Sequence, residues 1–186
     1  MEKIIVIGGS AGSFKIVNKI LASIPANYKH PLIICMHRLR NVRSGFVSTL
    51  SMNSEFKIKE IHDKELIEPG IAYIVPSNYH LITDYGYKFL LSIEPPVNHS
   101  RPSIDIAMET TAEVFRNKTI GIILSGANND GAIGLQKIQN NGGITIVQDP
   151  DESEIKTMPQ SCLKLFRPTY IANVETIINF ILELDK

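Results

Sequence analysis

Short apolar runs alternate with stretches of helical periodicity along most of the chain. Lys3 to Ile7 is apolar at every position after the lysine, which predicts a strand buried on both faces. Gly8 to Gly12 reads as a tight turn, and Phe14, Val17, Ile20 and Leu21 then recur at helical spacing. Pro31 introduces a second buried strand, Leu32 to Met36, which ends at His37. Phe46, Val47 and Leu50 suggest a further helix, and Lys57 to Ile61 and Ile71 to Val75 two further strands. Leu81-Ile82-Thr83 and Lys88-Phe89-Leu90-Leu91 flank Asp84-Tyr85-Gly86-Tyr87, the pattern of an antiparallel hairpin. After Pro102, Ile104, Ala107, Met108, Thr111, Ala112 and Phe115 form a helical stripe. The most apolar strand, Thr119 to Leu124, leads into a Ser125–Gly131 turn and a helix through Ile138. Ile144 to Val147 is one more strand, and Asn173 to Asp185 a closing amphipathic helix.

Strands alternating with helices predict an α/β fold: a doubly wound, mainly parallel sheet with helices on both faces and an antiparallel hairpin insertion. Periodicity alone leaves the strand order open, so another α/β topology is the alternative. The 186 residues favour one domain, spanning 1–186, with a full core. No repeat, low-complexity tract or linker interrupts them.

Composition narrows the function classes. Lys plus Arg and Asp plus Glu both number 19, so nothing in the net charge favours generic adhesion to nucleic acid or membranes. The N-terminal apolar run is broken at once by Gly8-Gly9, too short for a membrane span or a signal peptide. Cys35 and Cys162 have neither disulfide-framework nor zinc-ligand spacing and read as two reduced thiols. A cytoplasmic protein is expected.

In open parallel sheets, sites form beyond the carboxyl ends of the strands. Three such ends carry polar turns: Gly9-Ser10-Ala11-Gly12, Met36-His37-Arg38 and Asn128-Asn129-Asp130-Gly131. A serine in a glycine-rich strand-to-helix turn has an uncovered hydroxyl and helix N–H groups nearby, the setting of a nucleophile with its oxyanion donors. The same turn would equally cap a helix or cradle a phosphate. His37 serves as general base if its strand neighbours the first, while His30, His62, His80 and His99 read as exposed loop residues. Asp130 would orient the imidazole, or Asn129 or Asp130 would merely cap the following helix.

Gly8-Gly9-Ser10-Ala11-Gly12-Ser13 is a poor dinucleotide fingerprint, because the third glycine is out of place and no ribose-binding acid ends the second strand. Asp149, Asp151 and Glu152 read as a solvated acidic loop around Pro150, not a metal site. Arg38, Arg40 and Arg43 form a short basic cluster beside His37.

Ile7-Gly8-Gly9-Ser10-Ala11-Gly12, His37, Arg101-Pro102-Ser103-Ile104-Asp105 and Ser125-Gly126-Ala127-Asn128-Asn129-Asp130-Gly131-Ala132 occur in order. Gly142-Gly143-Ile144-Thr145-Ile146-Val147-Gln148-Asp149 and Met158-Pro159 follow. Together they resemble the catalytic domain of the chemotaxis protein-glutamate methylesterase (CheB) family across essentially the whole chain. The resemblance implies a serine hydrolase that removes methyl esters from receptor glutamates and deamidates certain receptor glutamines. It places the nucleophile at Ser10, the histidine at His37 and the aspartate at Asp130, with backbone donors near Ala11 and Ala127. It requires no metal or organic cofactor. Expected partners are the cytoplasmic helices of methyl-accepting chemotaxis receptors, with Arg38, Arg40 and Arg43 as docking residues. Many relatives carry an N-terminal receiver domain, whereas this sequence opens on the first catalytic strand; such control is then absent or supplied by a separate regulatory protein. Two motifs depart from the family: Ser10-Ala11-Gly12-Ser13 stands where Ser-Thr-Gly-Gly is common, and Gly126-Ala127-Asn128 where Gly-Met-Gly is common. The competing readings are a non-catalytic receptor-binding scaffold and an esterase acting on another protein or a small molecule.

Overall fold

Every residue of strand β1 (Ile4–Gly9) is buried, because the strand is paired along both edges and covered on both faces. In the computed structural model, which describes residues 3–37 and 45–185, it is followed by α1 (Phe14–Ser23), β2 (Leu32–Met36), α2 (Phe46–Ser51), β3 (Lys57–Glu60) and β4 (Ile71–Ile74). Next come the hairpin strands β5 (His80–Asp84) and β6 (Lys88–Ser92), α3 (Ile104–Phe115), β7 (Thr119–Ile123) and α4 (Ala132–Asn140). β8 (Ile144–Gln148), α5 (Thr157–Leu165), β9 (Tyr170–Ala172) and α6 (Val174–Glu183) complete the order.

Seven strands form one sheet in the order β3-β4-β2-β1-β7-β8-β9, and every pairing in it is parallel. The chain winds from β1 outward through β2, then returns past it to β7, so its direction of travel reverses between β1 and β7. Binding crevices of open α/β sheets form at such a reversal, beyond the carboxyl ends of the strands. β5 and β6 form a separate antiparallel pair. The hairpin is tied to α3, where Thr110 Oγ1 accepts from Thr83 N–H at 3.1 Å.

Strand side chains alternate between two cores, as a doubly wound sheet requires. Ile4, Val6, Ile33, Cys35, Tyr73, Ile123 and Val147 face α3, α4 and α5. Ile5, Ile7, Leu32, Ile34, Ile120, Ile122 and Ile146 face α1 and α6. The predicted fold class therefore stands. Two elements go beyond the sequence reading, α5 and β9. Pro159 lies in the first turn of α5, where the missing N–H costs no helical bond, yet it masks the helix in the pattern. β9 is a short edge strand with Tyr170 and Ile171 exposed, so it lacks the buried apolar signal of its neighbours.

Among the described residues, no helix is long and apolar enough to cross a membrane.

Candidate active site

β1 and β2 run side by side with Gly9 opposite Met36, so Ser10 and His37 occupy the next position on adjacent strand ends. His37 N–H donates to Gly9 O at 3.2 Å, extending the ladder by one bond. On the other side, Ser10 N–H donates to Ser125 O at 3.0 Å, which joins this turn to the end of β7. The Ser13 hydroxyl and N–H both donate to Ser10 O, at 2.6 and 3.1 Å, closing the tight turn before α1. Ser10 itself stays partly exposed. Among the described residues, no hydrogen bond engages its hydroxyl.

Asp130 is fully buried and reaches His37: Nε2 donates to Oδ2 at 2.8 Å. The carboxylate also accepts from Ile104 N–H at 2.7 Å, from Asp105 N–H at 3.1 Å and from the Ser103 hydroxyl at 3.0 Å. These are the first groups of α3, whose positive end favours an anion. Burial alone would push the carboxyl up, but the His37 hydrogen bond, the two N–H donors and the His37 charge together hold it below the ordinary aspartate range. An ionised Asp130 keeps the imidazole proton on Nε2. The open lone pair of the ring is then on Nδ1.

The capping alternative for Asp130 is met in an unexpected form. α4 starts on Gly131 (φ 94°) with no side-chain cap, and Asp130 caps α3 instead. Asp105 returns the service, since its Oδ1 accepts from Gly134 N–H at 2.8 Å in the first turn of α4. Each helix start thus holds the other's carboxylate. The exchange needs the helices in near contact: a Cβ on Gly134 would lie 2.7 Å from Asp105 O and 2.8 Å from its Cα. Burial pushes Asp105 up to about 6, Asp130's charge adds to the rise, and the Gly134 and Gly131 N–H groups oppose it.

Ser125 Oγ donates to Ala11 O at 3.1 Å and so locks the Ser10 turn to the Asp130 turn. Ala11 and Ala127 are both exposed on these turns. Neither N–H has a protein acceptor among the described residues, which leaves both able to donate to a bound oxygen. Cys162 is no rival nucleophile, because burial and the Asp105 charge push its thiol up to about 12.

A model of the CheB methylesterase family matches residues 5–181. The chain belongs to the CheB methylesterase family. It is 41% identical over 182 residues to a Leptospira interrogans (serogroup Icterohaemorrhagiae serovar copenhageni) protein provisionally named a protein-glutamate methylesterase/protein-glutamine glutaminase, covering 98% of this chain and 94% of that protein. A Thermotoga maritima protein-glutamate methylesterase/protein-glutamine glutaminase is 30% identical over 189 residues, covering 98% of this chain and 54% of that protein. The crystal structure of the Thermotoga maritima CheB methylesterase catalytic domain superposes with a TM-score of 0.93 at 30% identity, over 99% of each chain.

Against this CheB fold, most of the sequence expectations find a place, and some need correction. Ser10 and His37 directly follow adjacent strands, and Asp130, in the turn after β7, bonds His37. Arg38, Arg40 and Arg43, the expected docking cluster, lie outside the described residues. His62 and His99 are exposed as expected, but His30 and His80 are buried. The His30 ring packs edge-on against Tyr28 and bonds Leu184 O at 3.0 Å. His80 Nδ1 accepts from Ser103 N–H at 3.1 Å and so supports the residue that holds Asp130. The acidic loop is partly structural, since Glu152 accepts from Val174 N–H at the start of α6. Sequence reasoning did not single out Asp105, Ser103, His80 or Asn128 as members of the site. Ser103 three positions before Ile106 is a helix N-cap signature that was available in the sequence; the others declare themselves only through contacts between distant segments.

Proposed function

We propose that this chain is a protein-glutamate methylesterase that also deamidates glutamine, with Ser10 as nucleophile, His37 as general base and Asp130 as the residue that orients the base. The observation that carries the reading is the hydrogen-bonded pair of part-buried His37 and buried Asp130, one strand away from the partly exposed Ser10. Family membership and the relatives' names supply the substrate class.

In the first half-reaction, His37 Nδ1 removes the Ser10 proton as Oγ bonds to the carbonyl carbon of a glutamyl methyl ester. The carbonyl becomes a tetrahedral oxyanion, for which the Ala11 and Ala127 N–H groups are the donors of this reading. Asp130 stabilises the imidazolium through Nε2–H without taking the proton. The C–O bond to the methoxy group then breaks, and that group leaves as methanol with the proton from Nδ1. Water repeats the sequence on the acyl-enzyme and frees the glutamate and Ser10. A glutamine side chain follows the same course with ammonia as the leaving group.

The substrate is proposed to be the cytoplasmic helices of chemotaxis receptors, guided by Arg38, Arg40 and Arg43. Charge reversal at all three should slow receptor turnover more than turnover of a small ester; equal slowing would contradict the docking role. The test of the activity itself is methanol release from methylated receptor fragments. Ser10→Ala should abolish it, by at least about a thousandfold. Undiminished release from that variant would rule out the assigned nucleophile.

A further inference from the structure

The side chain of Asn128 stands on the nitrogen that Ser10 needs. Its Oδ1 accepts from Asp130 N–H at 3.2 Å, which fixes the amide so that Nδ2 points the other way. Nδ2 then lies 3.3 Å from His37 Nδ1 and donates to Ser100 Oγ, also at 3.3 Å. One amide therefore touches two members of the relay: the peptide N–H of Asp130 and the Nδ1 edge of the imidazole.

Resting on the hydrolase reading above, we infer that Asn128 is a positioning residue that restrains the base in the resting enzyme. Nδ1 has a single lone pair, so it accepts one strong hydrogen bond. With Nε2–H given to Asp130, the Asn128 amide and the Ser10 hydroxyl compete for that lone pair. Once Nδ1 has taken the serine proton it is a donor, and a donor amide facing it has nothing to bond. The contact stabilises the state before proton transfer and is lost in the state after it. An interaction made only in the ground state raises the barrier. A hydrogen bond of ordinary strength corresponds to about a two- to tenfold slowing.

The placement also explains why the amide is held at both ends. Asp130 N–H and Ser100 Oγ anchor it, so that it returns to Nδ1 after each cycle instead of drifting into solvent. The residue belongs to the Gly126-Ala127-Asn128 segment, one of the two places where the sequence leaves the family pattern.

Two substitutions separate this role from a scaffolding one. In Asn128→Ser, the short hydroxyl still accepts from Asp130 N–H as a serine turn does, but cannot span the distance to His37. In Asn128→Asp, the acceptor for Asp130 N–H is kept, while a carboxylate now faces Nδ1 and binds it as an N–H donor. The expected result is small-ester turnover about two- to tenfold faster in Asn128→Ser and at least about tenfold slower in Asn128→Asp. Unchanged or slower turnover in Asn128→Ser would overturn the inference. Independently of activity, nitrogen NMR of the wild-type histidine ring should find Nδ1 unprotonated and hydrogen-bonded, and no longer hydrogen-bonded in Asn128→Ser. A free Nδ1 signal in the wild-type chain would equally overturn it. Ser10→Ala run alongside keeps the two readings apart: if it still turns over ester, the assignment of Ser10 as nucleophile fails, whereas its inactivity with an unaccelerated Asn128→Ser removes only the restraint.

Discussion

Asp130 makes four polar contacts with one buried carboxylate, and two different jobs depend on them. It orients His37, and it binds the first N–H groups of α3. Asp130→Asn should therefore fail twice. Ester turnover should fall by about three to four orders of magnitude, because an amide no longer specifies which ring nitrogen keeps the proton. Stability should fall by roughly 1–3 kcal/mol, because an NH2 group then faces N–H donors. Rate and urea denaturation measured on the same preparation check both; a large rate loss with unchanged stability would mean that the contacts to α3 contribute little. At this scale the sequence was informative about residue type and silent about partners. Ser10, His37 and Asp130 stood out because each follows an apolar strand. That Asp130 caps α3, not the helix immediately after it, depends on a pairing across more than twenty residues that no local pattern encodes. His80 misled for a related reason: it follows a turn, as exposed histidines do, but Ser103 N–H and Pro95 O take up its ring nitrogens inside the protein.

Between elements, the close approach of α3 and α4 is the feature on which the site geometry rests. Gly134 leaves room for Asp105 to sit against the first turn of α4. Gly134→Ala would force the two helix starts apart against backbone atoms, which cannot yield as a flexible side chain does. The expected cost is roughly 1–3 kcal/mol by thermal or denaturant melting, with a drop in turnover as Asp130 moves with its loop. Wild-type stability and activity in that variant would contradict the reciprocal capping. Most elements were legible in the sequence, since buried parallel strands read as continuous apolar runs and the helices as amphipathic stripes. The exceptions have local causes. Pro159 broke the pattern of α5, and β9 exposes two of its three residues at the sheet edge.

Over the whole molecule, the two buried carboxylates pull stability in opposite directions with pH. Asp130 is held below its ordinary range, so its contribution is present at neutral pH and is lost as acid protonates it. Asp105 is pushed up to about 6 from 3.8, so the folded state binds a proton there that the unfolded state releases. Its effect is a penalty that grows as pH rises from about 4 to about 6 and is complete above that. Asp105→Asn removes the penalty. Relative to the wild type, this variant should gain on the order of 3 kcal/mol between pH 4 and pH 7 in denaturant melts. A difference that stays constant across that window would contradict a raised Asp105. Strand order was the part of the architecture that periodicity left open. The reversal between β1 and β7 settles it, and it brings the ends of β1, β2 and β7 together at one rim.

The central claim is that one hydroxyl at that rim performs the hydrolysis. Titrating the chain with a fluorophosphonate, while following Ser10 occupancy by peptide mass spectrometry and methanol release from methylated receptor fragments, tests it most directly. The two readouts should fall and rise along one line, with no methanol released once Ser10 is fully modified. Methanol release persisting at full Ser10 modification would contradict the account.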